Sequence, residues 1–241
     1  ITGEDPLKEA RMAAEVLSNG ARSIYLDVEP HSGFRQGTAD DAATFGRELR
    51  RLQPNGHVIL SIDPRPWMIN RLPMNQFLEI SDEVAPQQYW RSFNTQANYE
   101  RFIETGYPAP PGGVTPEFLV EVSDAILKPF GLPIQHVGQG ATPDATEFQR
   151  FIASATAVDS NYVTVWRYGV TMDDIFTLLK DTPPKLPPVE IAAQGPVSGG
   201  GGVYVVQPGD TLGAIAAQHG TTVDELVALN HLENANYLYV G

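Results

Sequence analysis

Apolar positions along the first 180 residues recur at two different spacings, and the two alternate. Between Asp5 and Asn19 they fall every third or fourth residue, the stripe of an amphipathic helix, with Pro6 near its start and Gly20 just past its end. Short apolar or alternating runs at Arg22–Val28, His57–Ile62, Glu83–Trp90, Pro133–Gln139 and Tyr162–Tyr168 predict strands. Helical periodicity returns around Asp40–Leu52, Pro116–Phe130 and Thr146–Ala157, and Met172–Lys180 follows the last strand. This alternation predicts an α/β unit over residues 1–180, a parallel sheet covered by helices, either open or forming most of a (β/α) barrel.

Beyond Asp181 the pattern stops. The chain reads Thr-Pro-Pro-Lys-Leu-Pro-Pro and then reaches the glycine run Gly199–Gly202, a composition that packs poorly and spaces domains. Residues 181–202 are therefore expected to be a tether, and residues 203–241 a separate small module. Within that module Val203–Val206 alternates as a strand and Pro208-Gly209 turns the chain. Leu212, Ile215 and Ala216 mark one helix stopped by Gly220. Thr222 to Glu225 has capping-box spacing for a second helix carrying Leu226 and Leu229, and Tyr237–Val240 begins a closing strand.

That module resembles the lysin motif (LysM), on Tyr204, Val206, Gly209, Asp210, Thr211, Leu212, Ile215, Ala216, Leu226 and Asn230. The resemblance implies a βααβ fold that binds N-acetylglucosamine polymers such as peptidoglycan or chitin. It further implies a shallow groove in which Gly209, Asp210, Thr211 and Leu212 face Asn230, His231 and Leu232. A turn and helix cap at Gly209 and Asp210 is compatible with the same backbone presenting amides to an acetamido group.

Candidate chemistry in the first unit sits at strand ends. In Ile24–Pro30, Ile24, Leu26 and Val28 point to one face and Tyr25, Asp27 and Glu29 to the other. Two acids at the carboxyl end of a buried strand call for a compensating role, because burying charge is costly. One carboxyl beside another has its pKa raised, which suits a general acid. A plain structural alternative is that both acids cap the next loop. Asp63 ends the second strand on the face of Ser61 and is a reserve second carboxylate. Gln87, Gln88, Tyr89 and Trp90 end the third, Gln135 and Gln139 share a face of the fourth, and Trp166 and Tyr168 end the fifth. All three tryptophans of the chain thus lie at or just past a strand end. Tyr25, Gln87, Tyr89, Trp90, Gln139, Trp166 and Tyr168 are the expected walls of a saccharide cleft, rings for sugar C–H faces and amides for hydroxyls. For any one of these rings, core packing is the competing explanation.

Tyr-Leu-Asp-Val-Glu, Ala-Pro-Gln-Gln-Tyr-Trp and Val-Trp-Arg-Tyr resemble motifs of the family 25 glycoside hydrolases, barrel-fold lysozymes that cleave peptidoglycan. The resemblance implies a (β/α) TIM-type barrel in which Glu29 is the catalytic acid, Asp27 its partner carboxylate, and Tyr89 and Trp166 line the cleft. On that alignment the five strands are strands four to eight, and a fragment lacking three earlier strands, with the lysin motif cut in its last strand, is expected. Two departures stand out: Arg167 occupies the usual Gln position, and the acid of the family's first strand has no counterpart. Family 18 chitinase-like barrels are a rival resemblance, weakened by Arg22 and Tyr25 where that signature has aspartates.

Bulk properties narrow the classes. A net charge of −13 argues against nucleic acid, and no apolar run predicts membrane insertion. With no cysteine, thiol catalysis and cysteine-ligated metals are excluded. The five histidines show no metal-ligand spacing, although His31, two residues past Glu29, could join Asp27 at a divalent ion. No cofactor is expected. The reading is a cell-wall protein, exported and anchored on peptidoglycan or a chitin-like glycan, that cleaves β-1,4 bonds. The alternatives are a non-catalytic saccharide-binding barrel and a structural component of a spore coat or sheath.

Overall fold

The computed structural model describes residues 2–31, 37–141, 144–160, 162–181, 204, 206, 211–219 and 221–230. The chain divides into two compact units, Ile1–Gly195 and Pro196–Gly241.

The first unit is a parallel sheet with strands β1 (Ser23–Val28), β2 (His57–Ile62), β3 (Glu83–Gln88), β4 (Gln135–Gln139) and β5 (Tyr162–Trp166), each beside the next in chain order. Helices α1 (Pro6–Ser18), α2 (Ala39–Leu52), α3 (Pro66–Ile69), α4 (Met74–Leu78), α5 (Trp90–Phe93), α6 (Gln96–Glu104), α7 (Pro116–Leu127), α8 (Ala145–Ala157) and α9 (Asp173–Lys180) flank and connect the strands. Such sequential parallel order is barrel-like topology. The expected strands and long helices are present. The third and fifth strands are shorter than anticipated: Trp90 begins a helix and Tyr168 lies beyond β5. The short helices α3 to α6 were not anticipated, because pieces of four to nine residues show too little of a 3.6-residue period.

Helix starts follow from local chemistry. Asp5 accepts a hydrogen bond from the Lys8 amide at 3.0 Å, with Pro6 at the first helical position, where its missing N–H costs nothing. Thr38 and Asp41 form a reciprocal capping box at α2.

β1 obeys the period of two. Ile24, Leu26 and Val28 are buried against Ala10 and Ala14 of α1 and Phe45 and Leu49 of α2. A second outer cluster joins Trp90, Phe102, Phe118, Phe148 and Phe151, with the Trp90 and Phe151 rings 5.4 Å apart. Each such side chain withdrawn from water contributes about 1.5–3 kcal/mol. β3 and β4 are buried along their whole length, as strands covered on both faces are, whereas β5 is only half-buried. The inner face, opposite the helices, has a small apolar cluster of Ile59, Ala85 and Val137. Polar side chains surround it, including Asp27, Ser61, Gln87 and Gln135.

In the second unit, α10 (Leu212–His219) and α11 (Val223–Leu229) bear out the two expected helices. Leu212, Ile215 and Ala216 are buried, and Thr222 and Glu225 form the capping box. Val203 and the strand expected at Tyr237–Val240 lie outside the described residues, as does the tether beyond Asp181.

Candidate active site

Parallel pairing brings β1 and β2 into register with Asp27 beside Ser61 and Tyr25 beside Ile59. Asp27 Oδ1 accepts a 2.8 Å hydrogen bond from Gln87 Nε2, which also donates to Ser61 Oγ at 3.0 Å. Side chains from β1, β2 and β3 are thereby tied together on the inner face. Glu29 lies just past β1, half-buried, and its Oε2 is 2.6 Å from His31 Nε2. Tyr89, just past β3, senses both acids. Burial, then the charges of Asp27, Glu29 and Asp63, push its phenol well above the ordinary tyrosine range. Tyr89 therefore stays protonated and can donate a hydrogen bond beside the carboxylates.

Tyr25 donates from its hydroxyl to Gln135 Oε1 at 2.7 Å. Burial is the main reason its phenol is raised, and the charge of Glu83 adds to it. Gln135 is fully buried, and its Nε2 has no hydrogen-bond partner among the described residues. Trp166, in register with Gln139 at the end of β5, is 57% exposed, and Tyr168 is 88% exposed. Both rings thus stand at the same end of the sheet as the acids, with β2, β3 and β4 between, and are available to a ligand.

Three expected site residues have other occupations. Asp63 is 5% exposed and held by Arg65: the backbone amide and Nε donate to Oδ1 at 3.0 and 2.9 Å, and Nη2 donates to Oδ2. Arg65 also donates to Asn98 Oδ1 at 3.1 Å and lies over the Phe93 ring at 4.3 Å. Asp63, the expected spare second carboxylate, is thus tied through Arg65 to the segment carrying α5 and α6. Trp90, expected at the cleft, is 1% exposed in the outer aromatic core, because the chain turns into α5 directly after Tyr89. Gln139 Oε1 accepts from the Arg91 and Ser92 amides at 3.1 and 3.3 Å, and its Nε2 donates to the Ala141 carbonyl at 3.0 Å. Its amide pins the start of α5 instead of facing a sugar.

His31 and Arg65 are contributors that residue types alone did not single out for these roles. Their available signal is a cationic or imidazole side chain two residues after an acid that ends a strand. Among the described residues no group of three or more His, Asp or Glu could hold a metal ion, so the ion considered for His31 and Asp27 gains no third ligand there. No helix among them is long and apolar enough to cross a membrane.

In the second unit, Thr211 is exposed and its Oγ1 accepts from the Ala214 amide at 3.2 Å. Leu212 is buried, with Ile215 and Ala216 of the same helix. Asn230 is exposed and donates from Nδ2 to the Leu226 carbonyl at 2.9 Å. Gly209, Asp210, His231 and Leu232 lie outside the described residues.

Comparison with known proteins bears on the two units unequally. A stretch of 44 residues, 18% of this chain, is 48% identical to N-acetylmuramoyl-L-alanine amidase sle1 of Staphylococcus aureus (strain USA300), and the same figures hold for strain NCTC 8325 / PS 47. The chain spans only 13% of the length of those relatives. Among solved structures, an alpha-L-fucosidase assignment from Bacteroides thetaiotaomicron VPI-5482 aligns over 72% of this chain and 60% of its own, at 7% identity and TM-score 0.45. Phospho-2-dehydro-3-deoxyheptonate aldolase from Thermotoga maritima aligns over 77% of this chain and 46% of its own, at 11% identity and TM-score 0.43. A family 18 chitinase from Cycas revoluta aligns over 68% and 52%, at 15% identity and TM-score 0.32. These structural likenesses bear on neither substrate nor mechanism. Residues 204–241 match the LysM domain family, and the carboxyl-terminal segment is a LysM domain.

Proposed function

We propose that this chain is a glycan-directed hydrolase of the cell wall, held on peptidoglycan or a related N-acetylglucosamine polymer by its LysM domain. The observation that carries the reading is the convergence of Asp27, Glu29 and the protonated Tyr89 at one end of the inner face. Glu29 protonates the leaving glycosidic oxygen, and Asp27 stabilises the positive charge that develops at the anomeric carbon or on an acetamido nitrogen. Gln87 holds Asp27 in place, and His31 holds Glu29. Trp166 and Tyr168 offer exposed rings to sugar faces. The LysM domain raises the local concentration of substrate through its tether.

Loss of turbidity and release of reducing ends from purified peptidoglycan, wild type against Glu29→Gln, test this reading. The expected result is activity in the wild type that falls by about 10²-fold or more in the variant. Equal rates in both would remove Glu29 from the mechanism. A second reading, a non-catalytic saccharide-binding groove, rests on the pairing of Asp63 with Arg65, which leaves Asp27 and Glu29 without a spare acid from β2. Binding of both proteins to peptidoglycan without any product supports it.

A further inference from the structure

The opposite end of the same inner face holds a second constellation. Ser23 opens β1 and His57 opens β2, and parallel pairing sets them side by side. Ser23 Oγ is 3.1 Å from His57 Nδ1. His57 Nε2 is 3.4 Å from Glu83 Oε1 at the start of β3. The other carboxylate oxygen of Glu83 accepts 2.8 Å from the Tyr162 hydroxyl of β5. Burial, the hydrogen bond to Glu83 and its charge raise the Tyr162 phenol above its ordinary range, so that hydroxyl remains a donor. Glu83 is 6% exposed, while Ser23 and His57 are half-buried and reachable from solvent.

These contacts have a direction. An acid fixed by a tyrosine faces one imidazole nitrogen, and a serine hydroxyl faces the other. With the imidazole proton on Nε2, at ion-pair distance from Glu83, the Nδ1 lone pair can accept from the Ser23 hydroxyl. That is the order of roles, nucleophile, base and orienting acid, that activates serine on unrelated folds. Apo distances of 3.1 and 3.4 Å suit a relay that tightens when substrate binds. Nothing in the glycoside reading uses these residues, and a purely structural role does not require an accessible hydroxyl at the head of the chain of contacts.

We propose that Ser23, His57 and Glu83 form an acyl-transfer site for small carboxylic esters, and that its substrates are acyl esters carried on wall glycan. The substrate half of the proposal rests on the LysM-anchored reading above; the site does not. Ser23 Oγ attacks the ester carbonyl carbon as its proton passes to His57 Nδ1, and the carbonyl π pair moves onto oxygen. Collapse of the tetrahedral adduct breaks the ester C–O bond, and the departing alkoxide takes the proton from Nδ1. Water then attacks the acyl-serine with His57 again as base, releasing the carboxylic acid and restoring Ser23. The sum is ester plus water giving alcohol plus acid.

The full chain is treated with a fluorophosphonate probe, the labelled residue is located by peptide mass spectrometry, and hydrolysis of p-nitrophenyl acetate is followed alongside. The expected result is a label on Ser23, a rate lowered by about 10²-fold or more in Ser23→Ala and His57→Gln, and a smaller loss in Glu83→Gln. Mapping the label on wild-type protein does not depend on any variant folding. No label on Ser23, or equal esterase rates in wild type and Ser23→Ala, overturns the site. A separate arm measures acetate released from O-acetylated peptidoglycan. Acetate released by the wild type and not by Ser23→Ala is expected. A labelled Ser23 with no acetate released overturns the glycan-ester assignment, whatever the outcome of the Glu29→Gln experiment.

Discussion

Replacing Arg65 by Met isolates what the Asp63–Arg65 pair contributes. Asp63 is 5% exposed, and Arg65 supplies it with bonds from its own amide, Nε and Nη2. Met keeps much of the aliphatic stem but removes every side-chain donor and the guanidinium that lies over the Phe93 ring, leaving a carboxylate in a site with little water. Breaking a buried pair from one side costs about 3–5 kcal/mol, most of it the stranded charge and not the lost attraction. The Arg65 bond to Asn98 disappears with it, which adds about 1 kcal/mol and loosens the anchoring of α6. Urea denaturation of Arg65→Met, Asp63→Asn and the double variant gives the coupling directly. The expected outcome is that the double variant recovers at least about 2 kcal/mol relative to additive behaviour, because Asn has no charge to strand. A loss under about 1 kcal/mol in Arg65→Met, or strict additivity, would falsify the account of Asp63 as a buried anchor. It would also return Asp63 to the pool of available carboxylates.

Other outcomes follow from single contacts. A Cβ on Gly138 would sit 2.7 Å from Phe151 and 2.8 Å from Phe148, both fully buried, so Gly138→Ala overpacks the aromatic core. A loss of about 1–3 kcal/mol is expected by denaturant titration, and an unchanged midpoint would show that the rings move freely. His136 is buried, and that burial lowers its pKa to about 4 from an ordinary 6.5. The unfolded chain therefore binds the proton more readily between those values, and the contribution of this group is complete above pH 6.5 and declines as pH falls toward 4. It amounts to about 3 kcal/mol. Stability measured from pH 7 to 4 should fall less steeply in His136→Gln than in wild type, and identical slopes would count against it. In the LysM domain, Thr222→Ala removes the acceptor for the Glu225 amide at the start of α11. It is expected to cost about 1 kcal/mol of that unit, seen as a lower thermal midpoint, and no shift would mean the cap is dispensable.

What the chain's pattern determined by itself was periodic. The alternation Ile24–Glu29 put the acids and Tyr25 on one face, since side chains in a strand have no freedom over which side they take. Long helices were legible from the same kind of signal, repeated over enough turns to stand out, with Pro6 and Gly20 marking the two ends of the first. Two helices of the LysM domain were likewise local matters of capping and apolar spacing. Tertiary structure decided everything that depends on a partner far along the chain. Whether Trp90 stacks on a sugar or fills a core turned on α5 beginning straight after Tyr89, which brought it against Phe148 and Phe151 about sixty residues later. That Asp63 is held by a buried ion pair turned on where Arg65 pointed and on Asn98 and Phe93 receiving it. The meeting of Ser23, His57, Glu83 and Tyr162 exists only because five parallel strands pair in chain order, with β4 between Glu83 and Tyr162. Residue spacing constrains directions within an element, whereas electrostatics and burial are set by what other elements bring to the same place.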